Sequence, residues 1–310
     1  EPQDSAARAK VWGFVQAQWQ KDFSDANAGP PGCAAGTTNC YVPPKLIGPN
    51  LDSQEAFNVN RARIGVRGTG FPLDSNINYF LLAEFGNNGI TKPAGAFAKL
   101  TDASVTFNHV KGARVRAGLF KYPGSEEGLQ AIHVFDFINF SEVANGLLLE
   151  RFPEDVYTPN VPAQPERGTS VDGFTQSVGA FRDTGIQVFD TFDMGNNWEV
   201  SYAAMIGNGN GLNFENPDDS YDTYLYVSGE KVFGGKGPRR EGLKLFAWGQ
   251  WGERELDDTN DGQQNPTKHD RNRLGVGAKY LKKPFRFAAE YVDAEGMIFV
   301  GPDKPTFIFG

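Results

Sequence analysis

The sequence is poor in the residues from which metal and redox sites are built. Its 310 residues include only two cysteines, three histidines and three methionines. The histidines, His109, His133 and His269, lie far apart in the sequence and show no metal-ligand spacing. A Gly-x-Ser-x-Gly elbow, a phosphate-binding glycine loop and a convincing catalytic triad are lacking as well. We therefore predict that the protein is not an enzyme and that it uses no cofactor.

Long apolar runs are also lacking. No run of 18 or more apolar residues occurs, so the sequence predicts no membrane-spanning helix. A mean hydropathy of −0.44 and a charged fraction of 22% are typical of soluble proteins. The wall of a membrane β-barrel has a similar average, because only every second residue meets lipid. The chain begins at Glu1 without a positively charged apolar leader, as expected of an exported protein after removal of its signal peptide.

What the sequence does contain is alternation of apolar and polar residues, the pattern of β-strands. In the first strand, apolar residues from Val11 to Trp19 occupy one face, while Gln16, Gln18 and Gln20 occupy the other. The same alternation recurs around residues 61–67, 77–86, 103–108, 113–119, 198–206, 243–251, 273–280 and 285–291. Residues 185–194 and 221–233 also resemble strands, although their facing is ambiguous. About eleven or twelve strands are legible in total.

The connections between these strands alternate in length. Short connections at 71–75, 111–112, 195–197 and 282–284 alternate with long polar ones at 24–56, 208–220 and 253–270. Each strand alone would also fit a soluble β-sandwich. Aromatic residues at the strand ends on the apolar face favour a membrane barrel, because an aromatic girdle lies at the lipid–water interface. We predict an all-β, antiparallel transmembrane barrel spanning residues 1–310, with these residues facing lipid: Ile64, Val66, Leu81, Val105, Val115, Val200, Leu245, Val276 and Phe287.

Two of the loops contain candidate sites. Cys33 and Cys40 lie in the long loop 24–56, for which a disulfide on the extracellular side is the preferred interpretation; two unpaired thiols or half of a metal site are the alternatives. The loop that begins at Asp257 partly resembles a calcium loop, with Asp261 at a suitable offset. Lys268 stands where that loop needs a bidentate Glu, so a solvated surface loop is favoured over a metal site.

The longest segment without alternation is 121–170. Its middle is too apolar for a disordered loop, so it needs burial. Inside a wide barrel, the lumen offers that burial, and we expect the segment to fold inward and narrow the pore. A cap lying on the surface is the alternative.

Three stretches of the sequence resemble the phosphate- and polyphosphate-selective porins: FNVNRARIGVRG (57–68), NINYFLLAEFG (76–86) and RVRAGLFKYPGSEEG (114–128). The family has an arginine-bearing second strand and a G-x-F-K-x-P strand end before its constriction loop. The resemblance extends over about residues 11–206 and implies a sixteen-stranded trimer of the bacterial outer membrane. Two features depart from the family. The segment after Lys121 carries mainly carboxylates where the family has lysines, and the strand count falls short, so strands are hidden in the long segments or the C-terminal end is missing.

The polar faces of the predicted strands are basic on balance. The predicted pore-lining and anion-binding residues are Arg61, Arg63, Arg67, Arg114, Arg116, Lys121, Lys244, Arg273, Lys279 and Arg286. They are opposed by the inward carboxylates Glu84, Asp102, Glu199 and Glu290. Either the cations raise the local concentration of anions, or they pair with these acids and hold the shape of the barrel.

The predicted function is passive diffusion of small polar solutes, with a preference for anions that extends to phosphate-like ions. The alternative is a barrel that sheathes a partner such as an electron-transfer protein. The expected partners are small anions or other polar solutes, outer-membrane lipid and two further copies of the chain in a homotrimer; no nucleic acid is expected.

Overall fold

The computed structural model describes residues 8–21, 55–70, 74–88, 90–91, 96–132, 135, 137, 140–141, 143–149, 179–214, 216, 219–237, 239–257 and 266–296. Within them lie twelve strands: β1 (Arg8–Lys21), β2 (Glu55–Thr69), β3 (Ile77–Glu84), β4 (Lys99–Phe107), β5 (Arg114–Lys121), β6 (Arg182–Gly195), β7 (Trp198–Gly207), β8 (Asp222–Gly234), β9 (Glu241–Trp251), β10 (Glu253–Asp257), β11 (Pro266–Lys282) and β12 (Phe285–Gly296). Between β5 and β6 lie a helix, α1 (Glu126–Leu129), and a π-helical turn (Ala144–Leu148).

The strands form one antiparallel sheet in which neighbours in sequence are neighbours in space. From β1 to β9 each strand pairs with the next, and β9 then pairs with β11, which pairs with β12. This ladder is the one that consecutive hairpins produce, so the predicted all-β, antiparallel architecture is confirmed. β1 and β12 are its outer members among the described residues. No helix in the described part of the chain combines the length and apolarity needed to cross a membrane.

The prediction of one loop is wrong. Residues 253–270 read as a single long polar loop, but β10 pairs with the first part of β11, from Glu253 opposite Asp270 to Asp257 opposite Pro266. The error arises because strand pairing uses backbone groups, and a strand with polar residues on both faces shows no apolar alternation.

The two faces of the sheet differ in chemistry. We call the inner face the one on which the described residues between 122 and 149 lie. Among them, Leu148 and Leu149 pack with Tyr226, Phe246 and Trp248 of the wall. Side chains alternate between the faces, so each strand that presents polar groups inward presents apolar groups outward. None of the nine residues predicted to face lipid is buried.

The predicted lipid contact of the outer face is testable at Val276. This residue lies near the middle of β11, opposite Ala247 and Tyr291, and is 56% exposed. Val276→Arg should lower the free energy of unfolding in phospholipid vesicles by roughly 2–4 kcal/mol, because a charge at the bilayer midplane loses its hydration. Val276→Leu is the control and should unfold like the wild type. Equal urea midpoints for the Arg and Leu variants would show that the outer face does not meet lipid.

Candidate functional site

The largest cluster of predicted site residues surrounds a cavity of about 480 Å³ on the inner face of β1–β6. Its lining, which defines the basic cavity, includes six cationic side chains: Arg63, Arg67, Arg114, Arg116, Lys121 and Arg182. Asp102 is the one carboxylate among the described lining residues. The cavity therefore carries a large excess of positive charge.

Strand alternation and register bring these cations together. Arg63 and Arg67 are four residues apart on β2 and so share a face, as do Arg114 and Arg116 on β5. Arg116 lies opposite Thr106 of β4 and Gln187 of β6, and both of these side chains are buried in the same lining. The sheet thus places a column of arginines along its inner face.

Three of the cations are paired with carboxylates. Arg63 Nε donates to Glu84 Oε2 at 2.6 Å, and both side chains are buried. Arg114 binds Asp190 Oδ1 at 3.0 Å, and Arg182 binds Asp102 Oδ2 at 3.1 Å. Pairing across strands was the alternative left open by the sequence, and the structure shows it for these residues.

The other three cations have no carboxylate partner among the described residues. Arg116 donates from Nε to Thr106 Oγ1 at 3.3 Å, and Lys121 Nζ donates to the carbonyl oxygens of Gly128 and Gln130, each at 2.6 Å. Arg67 has neither an ion pair nor a side-chain hydrogen bond to the described part of the chain. Hydroxyl and carbonyl oxygens do not cancel a full charge, so the positive potential of the cavity originates mainly from these three groups.

The segment between β5 and β6 forms one side of the basic cavity through Leu129, Ala131 and Ile132. It is anchored to the wall by polar contacts. Glu126 on α1 forms ion pairs with Lys244 and Lys279 and accepts a hydrogen bond from Tyr226.

The C-terminal part of the segment is anchored by arginines. Arg273 Nε donates to the carbonyl oxygen of Leu147 at 2.8 Å, and Arg271 donates to that of Leu148 at 3.1 Å. Arg273 is 0% exposed, and it also donates to the carbonyl oxygens of Asn272 and Glu295. In this structure Arg273 supports the segment and does not line the basic cavity.

A second cavity, of about 290 Å³, lies near the short-turn end of β8–β12. Three predicted site residues, Lys244, Lys279 and Arg286, line it together with Arg240 and Glu230. Arg240 donates to both Glu230 and Glu199, and hydrogen bonds to these carboxylates raise the pKa of Arg240 above its ordinary value. Because Lys244 and Lys279 are paired with Glu126, this second cavity is closer to charge balance than the basic cavity.

Five of the ten predicted site residues therefore line the basic cavity, and a sixth, Arg61, lies beside it with Arg63, Lys121 and Arg182. Arg61 donates to Gln16 Oε1 at 2.7 Å. Sequence reasoning missed Arg182, the first residue of β6. The alternation that would have revealed it begins only at this residue, after a long stretch without strand pattern.

The remaining candidate sites are not described by the structure. Cys33, Cys40 and Asp261 lie outside the described residues, so the disulfide remains a prediction. Asp257 is the last residue of β10. Among the described residues, no group of three or more His, Cys, Asp or Glu side chains is placed to hold a metal ion.

The family model of the phosphate-selective porins O and P matches residues 47–297. Among solved structures, OmpF of Salmonella typhi in complex with daunomycin is 10% identical, with a TM-score of 0.38 over 94% of this chain and 80% of that one. OmpT of Vibrio cholerae, folded in vitro and in trimer form, is 12% identical, with a TM-score of 0.28 over 94% and 89%.

Both TM-scores are low, so the assignment rests on the family model, which matches most of the chain. A search of curated proteins finds no match. The chain belongs to the family of phosphate-selective porins O and P, and it is a β-barrel porin of the bacterial outer membrane.

Proposed function

We propose that this porin gives passive diffusion to small hydrophilic solutes and prefers anions, phosphate-like ions among them. The observation that carries the proposal is the lining of the basic cavity, where three of the six cations have no carboxylate partner among the described residues. Fixed charge on a low-dielectric wall raises the local concentration of counter-ions and lowers their barrier to passage. The net charge of the whole chain, −8, has the opposite sign, so the placement of charge matters more than its sum.

We further propose that segment 121–170 narrows the pore. Its described residues support this role, because Leu129, Ala131 and Ile132 line the basic cavity and Leu148 is buried against the inner face. A barrel that sheathes a partner would need this space empty, so the same contacts favour the porin over the sheath. The homotrimer implied by the family remains a proposal.

Arg116→Ala tests the anion preference. At an effective dielectric constant of about 20, a unit charge about 4 Å from an ion contributes on the order of 4 kcal/mol before screening. A quarter of this value corresponds to about a fivefold change in the chloride-to-potassium permeability ratio. We expect the wild type to prefer chloride in a potassium chloride gradient and Arg116→Ala to lose several-fold of that preference.

The matched control is Lys236→Ala, which removes the same unit of charge from an exposed position in the connection between β8 and β9. Its reversal potential should equal that of the wild type. Cation preference in the wild type would overturn the proposal, as would a reversal potential that Arg116→Ala leaves unchanged.

A further inference from the structure

The basic cavity is aromatic as well as cationic. Five apolar aromatic side chains share its lining with the arginines: Trp12, Phe14, Phe80, Phe120 and Phe189. Leu82 of β3 adds further apolar surface. So do Leu129 and Ile132 of the segment between β5 and β6, which we call the inward segment. An inorganic anion carries its own hydration and gains nothing from such walls, so charge selection alone does not account for them.

The guanidinium groups of the arginines lie over the rings. The guanidinium carbon of Arg116 lies 4.6 Å from the ring centre of Phe189 and 5.4 Å from that of Phe120. Arg114 lies 4.7 Å from the ring centre of Phe189, and Arg63 lies 5.9 Å from that of Phe14. A guanidinium group over a ring is attracted by the negative face of the π system, and its several N–H donors can still bind an anion.

These pairs of arginine and ring create a surface that offers both polar and apolar contacts. The in-plane N–H groups of Arg116 suit the oxygens of a carboxylate or phosphate, since the described residues offer this side chain only the hydroxyl of Thr106. The neighbouring ring edges and leucine side chains suit a flat apolar group, which gains by leaving water and by offset or edge contacts with the phenyl rings. A volume of about 480 Å³ is within the range of sites for small organic ligands.

We infer that the basic cavity selects organic anions that carry an aromatic ring, such as aryl carboxylates and aryl phosphates, over inorganic anions of the same charge. The inference rests on the proposed anion preference and names the substrate class of that same cavity. The cations attract the anion. The rings and the apolar residues of the inward segment favour anions whose charged group carries an aromatic ring.

The probes are phenyl phosphate and inorganic phosphate, compared under conditions in which both ions carry the same net charge. Each is added to a single channel conducting chloride, and the concentration that halves the current is measured. We expect phenyl phosphate to block the wild type at roughly five- to tenfold lower concentration than inorganic phosphate, from the stacking and burial of one ring. Phe189→Leu should reduce this ratio several-fold, because it removes the ring shared by Arg114 and Arg116.

Phe14→Leu, on the other side of the cavity, is a second variant that should also reduce the ratio. Phe285→Leu, at a position that is 60% exposed and lines neither cavity, is the control and should keep the wild-type ratio. Equal blocking concentrations for the two phosphates in the wild type would overturn the inference, as would a wild-type ratio in both Phe189→Leu and Phe14→Leu. The chloride-to-potassium ratio, measured on the same channels without phosphate, reports separately on the proposed function.

Discussion

Glu84→Ala should destabilise the barrel by about 3–5 kcal/mol, because it leaves a buried arginine without its counter-charge. Glu84 is 0% exposed and accepts a hydrogen bond from Arg63 Nε at 2.6 Å. Its other oxygen accepts from the backbone N–H groups of Ala62 and Gly86, each at 2.8 Å. One carboxylate thus satisfies donors on β2 and in the connection after β3, and its loss leaves all of them without this acceptor.

The free energy of unfolding in lipid vesicles, measured by urea titration, checks this result. Glu253→Ala is the matched control, because Glu253 pairs with Lys268 at 3.1 Å while both side chains are largely exposed. An exposed pair contributes about 0–1 kcal/mol, so the control should lose little. If the two variants were equally stable, the pairing with Arg63 would be unimportant for the fold.

Glu84→Gln separates stability from selectivity. The amide keeps the shape of the side chain and one acceptor oxygen, so folding should suffer less than in the alanine variant. The neutral side chain no longer cancels the charge of Arg63, and Arg63 lines the basic cavity. The anion preference of the channel should therefore rise, which the reversal potential in a salt gradient measures.

Much of the wall was predictable from local pattern. Period-two alternation indicates both the strands and their inner faces, and for this reason it places Arg63, Arg67, Arg114 and Arg116 on the same side of the sheet. The assignment needs only the sequence within each strand. It fails where alternation is lost, as in β10, and where a strand begins directly after irregular chain, as at Arg182.

The pairing of the charges was not predictable in the same way. Arg114 meets Asp190 from 76 residues away, and Lys244 meets Glu126 from 118 residues away. Such contacts depend on the register between strands and on the path of the inward segment, and neither is encoded in a local period. The sequence predicts Lys244, Lys279 and Arg273 as pore-lining and anion-binding residues, and it gives no sign that all three also bond to the inward segment.

The position of the inward segment depends on Glu126, and Glu126→Gln should raise both the single-channel conductance and the open-channel noise. Glu126 is buried on α1, where it forms ion pairs with Lys244 and Lys279 and accepts from Tyr226. These partners belong to β8, β9 and β11, so one carboxylate ties the segment to three strands of the wall. Uncharged Gln weakens each of these bonds by removing its charge assistance.

The remaining anchors still hold the described part of the segment against the inner face. Lys121 still binds the carbonyl oxygens of Gly128 and Gln130, and Arg273 still binds that of Leu147. We therefore expect a wider and less steady constriction rather than an open barrel. Lys244 and Lys279 lose their counter-charge at the same time, and their side chains line the second cavity. The anion preference should rise together with the conductance, because the inner face loses one negative charge and so becomes more positive by one unit.

Glu127→Gln is the matched control, since it removes the same charge from the adjacent position on α1. Glu127 accepts from the backbone N–H of Ser141 at 2.5 Å and from its hydroxyl at 2.6 Å, so these contacts stay within the segment and do not reach the wall. This variant should keep the wild-type conductance and noise. A conductance in Glu126→Gln equal to that of Glu127→Gln would show that the ion pairs with Lys244 and Lys279 do not set the width of the constriction. A shift of Glu126→Gln towards cations would contradict the sign of the expected change in selectivity.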